Sequence, residues 1–93
     1  MSQTIDALLA TIQDRKEHPK EGSYTCQLFA EGPVEILKKV GEEAVEVVTA
    51  GALQSDDRVV YESADLIYHL LVLLVSRGLT WADVEAELAR RFK

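Results

Sequence analysis

The architecture of this chain follows from two stretches, PVEILKKVGEEAVEVVTAGA at residues 33–52 and DDRVVYESADLIYHLLVLLVSR at residues 56–77. In both, apolar residues recur at intervals of three and four, which is typical of helices, and neither alternates as a strand does. Pro33 suits the first turn of a helix, Ser55 can cap the second helix, and Gly78 is a usual stop. The sequence therefore predicts two long helices joined by a short polar turn.

Three shorter helices are predicted outside this pair, from N-cap residues and from apolar residues at helical spacing. The polar segment between the first two, with Pro19 and Gly22, is predicted to be a loop. The three helices are Ile5–Arg15 after Thr4 as N-cap, a short helix opened by Ser23 and ended by Gly32, and Trp81–Phe92 after a capping box of Thr80 and Asp83.

Helical wheels predict which sides of the two long helices are buried. On the second long helix, residues 66–75 are apolar nearly all round, which indicates burial on several sides or at a subunit interface. Glu43 is expected at the edge of the buried face of the first helix, and Glu62 within that of the second. The predicted faces comprise Leu37, Val40, Ala44, Val47 and Gly51 on the first helix, and Leu66, Leu70 and Leu73 on the second.

Length and composition favour a small helical domain. With 93 residues we expect one domain spanning residues 1–93. A domain of this size buries a modest share of its surface, so a homodimer would supply the missing core. Only two prolines and five glycines are present, which favours long helices over a many-turned β fold. The predicted fold is all-α, a bundle of about four to five helices completed by dimerisation.

The net charge and the cysteine content limit the classes of binding partner and the cellular compartment that fit this sequence. The net charge of −6 is at odds with the basic face that a nucleic-acid duplex binder needs. A single cysteine, Cys26, has no partner for an internal disulfide, which fits a reducing compartment. The N-terminus lacks a basic start followed by an apolar run, and the apolar run within residues 66–75 is about half a membrane span. We expect a cytoplasmic protein that binds neither nucleic acid nor membrane.

Each long helix also carries carboxylates beside its apolar face. The first has Glu42, Glu43 and Glu46 in an EExxE pattern, and the second has Glu62 and Asp65 in an ExxD pattern. Residues three apart are neighbours on a helix, so an antiparallel pair would bring both sets together. Clustered carboxylates repel unless they are protonated or bind a metal, and all-oxygen ligands suit Mg²⁺ or Mn²⁺. The combined pattern predicts a divalent metal site, whereas an EExxE run alone is usually a solvated face.

Several neighbouring side chains admit two interpretations. Lys38 and Lys39 either contact phosphate or pair with Glu42 and Glu43 one turn on. His69 is either a base or substrate contact, or a buried histidine with its hydrogen bonds satisfied. For the remaining residues, Tyr24 either stacks on a base or covers the core, Tyr61, Tyr68 and Trp81 are expected to pack, and Cys26 is expected to be inert.

Four segments together resemble the phosphoribosyl-ATP pyrophosphatases of histidine biosynthesis, within the MazG-like all-α nucleotide pyrophosphohydrolases. The EExxE and ExxD patterns are shared by the wider superfamily, and the other segments are more specific to the histidine enzymes. The resemblance covers the chain from about Leu8 to Arg91. Its segments are Gly22–Thr25, Gly32, Lys38–Glu46 and Glu62–His69.

The resemblance implies hydrolysis of phosphoribosyl-ATP to phosphoribosyl-AMP and pyrophosphate by a Mg²⁺-dependent, nucleotide-binding homodimer. Carried onto this chain, it implies the metal ligands Glu43, Glu46, Glu62 and Asp65, with Glu42 in or beside them. We predict Glu42 or Glu46 as the base that activates water, and the sequence leaves the choice between them open. The predicted substrate contacts are Lys38 and Lys39 at the leaving pyrophosphate, together with Ser23, Tyr24, Thr25 and His69.

Three other functions compete with this hypothesis. A house-cleaning nucleoside triphosphate pyrophosphohydrolase would share the carboxylates, but the Ser23–Thr25 segment disfavours it. A helical dimerisation module without activity would leave the acidic residues solvated and gain no stability from Mg²⁺. A metal-storage bundle is disfavoured because neither long helix carries the paired Glu-x-x-His of such proteins.

Overall fold

A computed structural model describes residues 2–92, and this part of the chain contains five helices and no strand. The prediction of an all-α fold is confirmed. All four long-helix boundaries that the sequence predicted lie within one residue of those observed. The helices are α1 (Gln3–Glu17), α2 (Tyr24–Glu31), α3 (Pro33–Leu53), α4 (Asp56–Ser76) and α5 (Trp81–Arg91).

The predicted start of the first helix was wrong. The N-cap is Ser2, whose hydroxyl accepts a hydrogen bond from the Ile5 amide at 3.1 Å. Thr4 lies inside the first turn of α1, and the helix continues past Arg15 to Glu17. Ser2 lies two positions before Thr4 and carries a hydroxyl of the same kind, so residue type alone does not distinguish the two capping positions.

Other helix ends follow their predicted caps. Ser23 opens α2 and Gly32 ends it with φ of 95°, a conformation that favours glycine. Thr80 and Asp83 form the predicted reciprocal capping box of α5. Ser55 is the N-cap of α4, although its side chain makes no capping hydrogen bond.

The α3–α4 hairpin is the most extensive contact between helices in the described residues. Residues equally far from the turn lie opposite each other in such an antiparallel pair. Counting outward from Gln54 places Glu43 opposite Asp65, and Glu46 opposite Glu62. The turn between the helices thus aligns four acidic residues in two adjacent tiers. One tier is Glu43 with Asp65, and the other is Glu46 with Glu62.

The hydrophobic core forms around the C-terminal half of α4, where α1, α2 and α3 each add one side chain to the buried apolar cluster. Leu66, Leu70 and Leu73, which the wheel placed at the centre of the buried face, are only half-buried. The packing of several helices around α4 moves the centre of burial away from the face that points at α3. The buried apolar cluster is Ile12, Leu28, Ile36, Leu71, Val72, Leu74 and Val75.

Helix α4 is long and apolar enough to cross a membrane by length and composition, with a hydropathy of 1.5 over its most apolar window. Core helices of soluble proteins share these properties. Leu71 and Val72 are completely buried by the neighbouring helices, and about a third of the apolar stretch is buried within the chain.

Helix α3 is apolar on two opposite sides. Its inner side is buried at Ile36, Glu43 and Ala50. The predicted buried face was wrong in part, because Leu37 and Gly51 are exposed and Glu43 lies within the buried side instead of at its edge. A helical wheel averages the directions of all apolar residues, so the predicted face lay between the buried inner side and a second, exposed apolar side. The other side is an exposed stripe, here called the outer stripe, made of Val34, Leu37, Gly41, Val45, Val48 and Ala52.

Shortening Leu71 to alanine should destabilise the fold through the cavity it leaves. Leu71 is 0% exposed, and the expected loss is about 3 kcal/mol in the free energy of unfolding. Urea denaturation followed by far-UV circular dichroism measures this loss. Leu53→Ala is the matched control, because Leu53 is exposed at the end of α3 and should change stability by less than about 0.5 kcal/mol.

Candidate active site

Three predicted site residues meet where α3 faces α4. Glu43, Asp65 and His69 each offer a ligand atom, and these atoms all lie within 4.8 Å of one another. Glu43 is 8% exposed and His69 is 3% exposed, whereas Asp65 is half-buried at the rim. The hairpin therefore buries two ionisable side chains beside a third, which is the arrangement expected of a cation site.

The Glu43 carboxyl has an unusual charge environment. Burial, followed by a hydrogen bond shared with Asp65 and repulsion from its carboxylate, raises the pKa of Glu43 from 4.5 to about 7. The ammonium of Lys39, 3.9 Å from Glu43 Oε1, acts in the opposite direction. A carboxyl group whose charged form is disfavoured by burial and by a neighbouring carboxylate gains from a cation at the same place.

Glu62 and Glu46 form the neighbouring tier. Glu62 is buried, and its Oε2 accepts a hydrogen bond from Arg58 Nη2 at 2.6 Å. Glu46 lies on the opposite helix at the same distance from the turn, but its side chain is exposed. The structure thus gathers Glu43 and Asp65 closely, and leaves Glu46 at the open side of the tier that holds Glu62.

His69 has both ring nitrogens engaged. Its Nδ1 lies 2.8 Å from the carbonyl oxygen of Asp65, and since a carbonyl can only accept, Nδ1 carries the proton. On the neutral ring, Nε2 then accepts a hydrogen bond from the Tyr24 hydroxyl at 3.0 Å. Of the two interpretations of His69, this geometry favours the buried histidine with satisfied hydrogen bonds.

Helix α2 borders the site through aromatic side chains. Tyr24 stacks on Tyr68 with ring centroids 6.2 Å apart and meets His69 edge-on. The hydroxyls of Thr25 and Tyr68 form a second hydrogen bond between α2 and α4. Tyr24 keeps 45% of its surface exposed, so it covers the core on one side and presents an aromatic edge to solvent on the other. Burial raises its pKa above the ordinary value.

The two lysines differ in their surroundings. Lys39 Nζ lies 3.5 Å from Glu42 and 3.9 Å from Glu43, which matches the ion-pair interpretation. Lys38 is exposed, and within residues 2–92 it has no carboxylate oxygen within 4.0 Å. Lys38 is therefore the lysine whose charge is available at the surface of α3.

Ser23 acts as the cap of α2, because its hydroxyl accepts a hydrogen bond from the Cys26 amide at 3.2 Å. Its predicted contact with substrate stays a prediction. The expectation that Tyr61 packs was wrong, since this ring is largely exposed and the guanidinium of Arg58 lies 4.5 Å from its centroid. Trp81 packs against the core as expected.

Arg58 was not among the side chains that the sequence predicted for the site. Its signal was present, because Arg58 precedes Glu62 by four residues, a spacing at which side chains on a helix meet. A cavity of about 520 Å³ lies elsewhere, between α1 and the α4–α5 turn, and its lining includes no member of the acidic tiers.

Comparison with known proteins points to one family. A model of the phosphoribosyl-ATP pyrophosphohydrolase family matches residues 5–92. A phosphoribosyl-ATP pyrophosphatase of Lactiplantibacillus plantarum is 51% identical over 89 residues, which cover 96% of this chain and 84% of the relative. A phosphoribosyl-ATP pyrophosphatase of Clostridium botulinum is 46% identical over 94% of this chain and 79% of its own length.

A longer relative is similar over the same region. The histidine biosynthesis bifunctional protein HisIE of Caldanaerobacter subterraneus is 54% identical over 96% of this chain, but that match covers 43% of the bifunctional protein. The similarity therefore concerns one part of that protein.

The raised pKa of Glu43 predicts a pH dependence of stability in the metal-free protein. The folded state holds the Glu43 proton more tightly than the unfolded chain does, so the free energy of unfolding should fall as pH rises from 4.5 to about 7. Thermal unfolding in the presence of a chelator, at several pH values in this range, measures the slope.

Glu43→Gln should flatten this dependence and should be more stable than the wild type at neutral pH, because the amide carries no buried charge. Glu31→Gln, which removes an exposed carboxylate outside the two tiers, serves as control and should keep the wild-type slope. An equal slope in the wild type and in Glu43→Gln would contradict the assignment.

Proposed function

Because this chain belongs to the phosphoribosyl-ATP pyrophosphohydrolase family, we propose that the two acidic tiers between α3 and α4 are its catalytic centre. The enzyme hydrolyses phosphoribosyl-ATP to phosphoribosyl-AMP and pyrophosphate in histidine biosynthesis, as the names of its relatives indicate. The observation that carries the assignment of the centre is the close grouping of Glu43, Asp65 and His69 within 4.8 Å.

Mg²⁺ is the metal we propose for this centre, with Mn²⁺ as a substitute. Pyrophosphohydrolases generally use a divalent metal, and the donors here are carboxylate oxygens, which Mg²⁺ prefers. The proposed ligands are Glu43, Glu46, Glu62 and Asp65. Their fit rests on the buried carboxyl groups of Glu43 and Glu62, which supply oxygen donors inside the hairpin, and on the exposed Glu46, which leaves one side of the tier open to substrate.

When bound, Mg²⁺ would neutralise phosphate oxygens and polarise the attacked phosphorus. The side chains of the protein then position and deprotonate a water molecule. We propose Glu46 or Glu42 as the base, because both are exposed at the open side of α3. The water oxygen bonds to the α-phosphorus, the bond from that phosphorus to the bridging oxygen breaks, and pyrophosphate leaves with the electron pair. The carboxylate takes up the water proton.

The remaining predicted contacts surround this centre. Lys38 is exposed one helical turn before Glu42 and is proposed to contact the leaving pyrophosphate, whereas Lys39 is held by Glu42 and Glu43. Tyr24 is exposed at the edge of the site, where it could stack on a base. Ser23, Thr25 and His69 are engaged in hydrogen bonds within the protein, so their contribution to substrate binding is proposed to be the placement of Tyr24.

We propose that the enzyme works as a cytoplasmic homodimer of single domains, without nucleic-acid or membrane partners. The support for the dimer is the outer stripe of α3. Its members recur at intervals of three and four along about five turns of helix, and the large ones are more than half exposed. A stripe of this kind on a long helix suits packing against a copy of itself.

A house-cleaning enzyme acting on many nucleoside triphosphates is the alternative that shares these carboxylates. The pyrophosphatase relatives quoted above carry the name of one substrate, phosphoribosyl-ATP. The alternative therefore differs in substrate range and not in the chemistry of the centre.

Pyrophosphate release from phosphoribosyl-ATP, beside a panel of ordinary nucleoside triphosphates and with or without Mg²⁺, tests the proposed function. Release should require Mg²⁺ and should be selective for phosphoribosyl-ATP. Glu46→Gln, Glu62→Gln and Asp65→Asn should each lower kcat by about 100-fold or more, because each removes a ligand charge or the base.

Glu35→Gln provides the matched control, since Glu35 lies on α3 two turns before Glu42 and should retain wild-type turnover. Broad release from the whole panel would move the protein to the house-cleaning alternative. Near-native turnover by Glu62→Gln and Asp65→Asn would contradict the proposed metal ligands.

A charge in the outer stripe should break the proposed dimer. Val48→Glu places a carboxylate at an exposed stripe position, so the monomer itself should remain folded while association weakens by at least about tenfold. Sedimentation equilibrium measures the association, with Ala86→Glu on the exposed side of α5 as control. A Val48→Glu protein that sediments as the wild type does would show that this stripe is not the interface.

A further inference from the structure

Arg58 forms an ion pair with Glu62, one of the proposed metal ligands. Its Nη2 donates to Glu62 Oε2 at 2.6 Å, and the Arg58 side chain is 47% exposed while that of Glu62 is 8% exposed. The guanidinium also lies over the ring of Tyr61 at 4.5 Å from the centroid, a favourable position for a cation. The arginine thus reaches from the protein surface into the acidic centre.

Arg58 is the only cation within 4.0 Å of Glu62 in residues 2–92. The residue opposite Arg58 across the hairpin, four positions from Gln54 on the other side, is the fully buried Ala50. Alanine offers no carboxylate, so the arginine has no alternative acidic partner on α3 at its own level. Glu43, in the other tier, is instead contacted by Lys39.

A buried carboxylate needs a positive partner, and the guanidinium and a divalent cation would seek the same oxygens of Glu62. Mg²⁺ brings twice the charge of an arginine and binds carboxylate oxygen directly. Once the metal binds Glu62, the guanidinium loses its partner, yet it stays within one helical turn of the centre. Arginine is the side chain whose planar fork best matches phosphate oxygens.

We propose that Arg58 exchanges partners during the reaction. It neutralises Glu62 while the metal is absent, and it binds the pyrophosphate part of the triphosphate once the metal occupies Glu62. This inference rests on the proposed function of the acidic tiers. It adds a substrate-binding residue that lies outside the EExxE and ExxD patterns, and it links metal loading to the readiness of the site for substrate.

The exchange predicts opposite effects of one substitution on two ligands. In Arg58→Gln, Mn²⁺ binding without substrate should tighten by about threefold, because the metal no longer competes with an ion pair of this exposure. Inhibition by inorganic pyrophosphate at saturating Mg²⁺ should weaken by about tenfold, because a charge-assisted contact is lost. Isothermal titration with Mn²⁺ and steady-state inhibition measure the two quantities.

Arg91→Gln is the matched control, because Arg91 pairs with Glu87 at the same i, i+4 spacing on α5 and should change neither quantity. Arg58→Lys keeps the charge without the planar fork, so its Mn²⁺ affinity and its inhibition by pyrophosphate should lie between those of the wild type and of Arg58→Gln. This variant replaces Arg58→Gln if Arg58→Gln fails to fold. Unchanged or weaker Mn²⁺ binding, or unchanged pyrophosphate inhibition, overturns the inference. If wild-type turnover requires Mg²⁺ in the same assays, the proposed function of the acidic tiers stands even when the inference on Arg58 fails.

Discussion

The burial of Glu43 between α3 and α4 is the constraint around which the site is organised. A carboxyl group in this position has little water to solvate its charge, and it faces the carboxyl of Asp65 across the hairpin. The folded state can accept it as a neutral acid, as a partner of Lys39, or as a ligand of a cation. The packing energy of the apolar cluster around Leu71 and Val72 keeps the two helices together despite this cost.

The apolar and polar parts of the hairpin are separated along its length. The C-terminal half of α4 is enclosed by α1, α2 and α3, whereas its N-terminal half carries Glu62 and Asp65 at the acidic centre, with Arg58 paired to Glu62. Rigid packing at one end therefore fixes the register at the other, and the register places Glu46 in the tier of Glu62. Sites that bind metals need this precision, because ligand distances tolerate little variation.

Helix α2 completes the environment of the site from a third direction. Its hydrogen bonds to Tyr68 and His69 connect a short helix of eight residues to the long α4. Short helices are marginal in isolation, so these contacts and the burial of Leu28 hold α2 in place. The hydroxyl of Tyr24 thereby fixes the imidazole of His69, whose other nitrogen is fixed by the backbone of α4.

Local chemistry in the sequence was sufficient for the helices, for the capping box at Thr80 and Asp83, and for the two carboxylate patterns. These features depend on residues within a few positions of each other, so periodicity and capping identify them. Contacts between helices determined the rest: Glu43 buried and Glu46 exposed, Arg58 on Glu62, and Ile36 inside where Leu37 had been expected. Periodicity gives the direction of a side chain around its own helix axis, but α3 is apolar in two directions, and only its packing against α4 shows which of them faces the core.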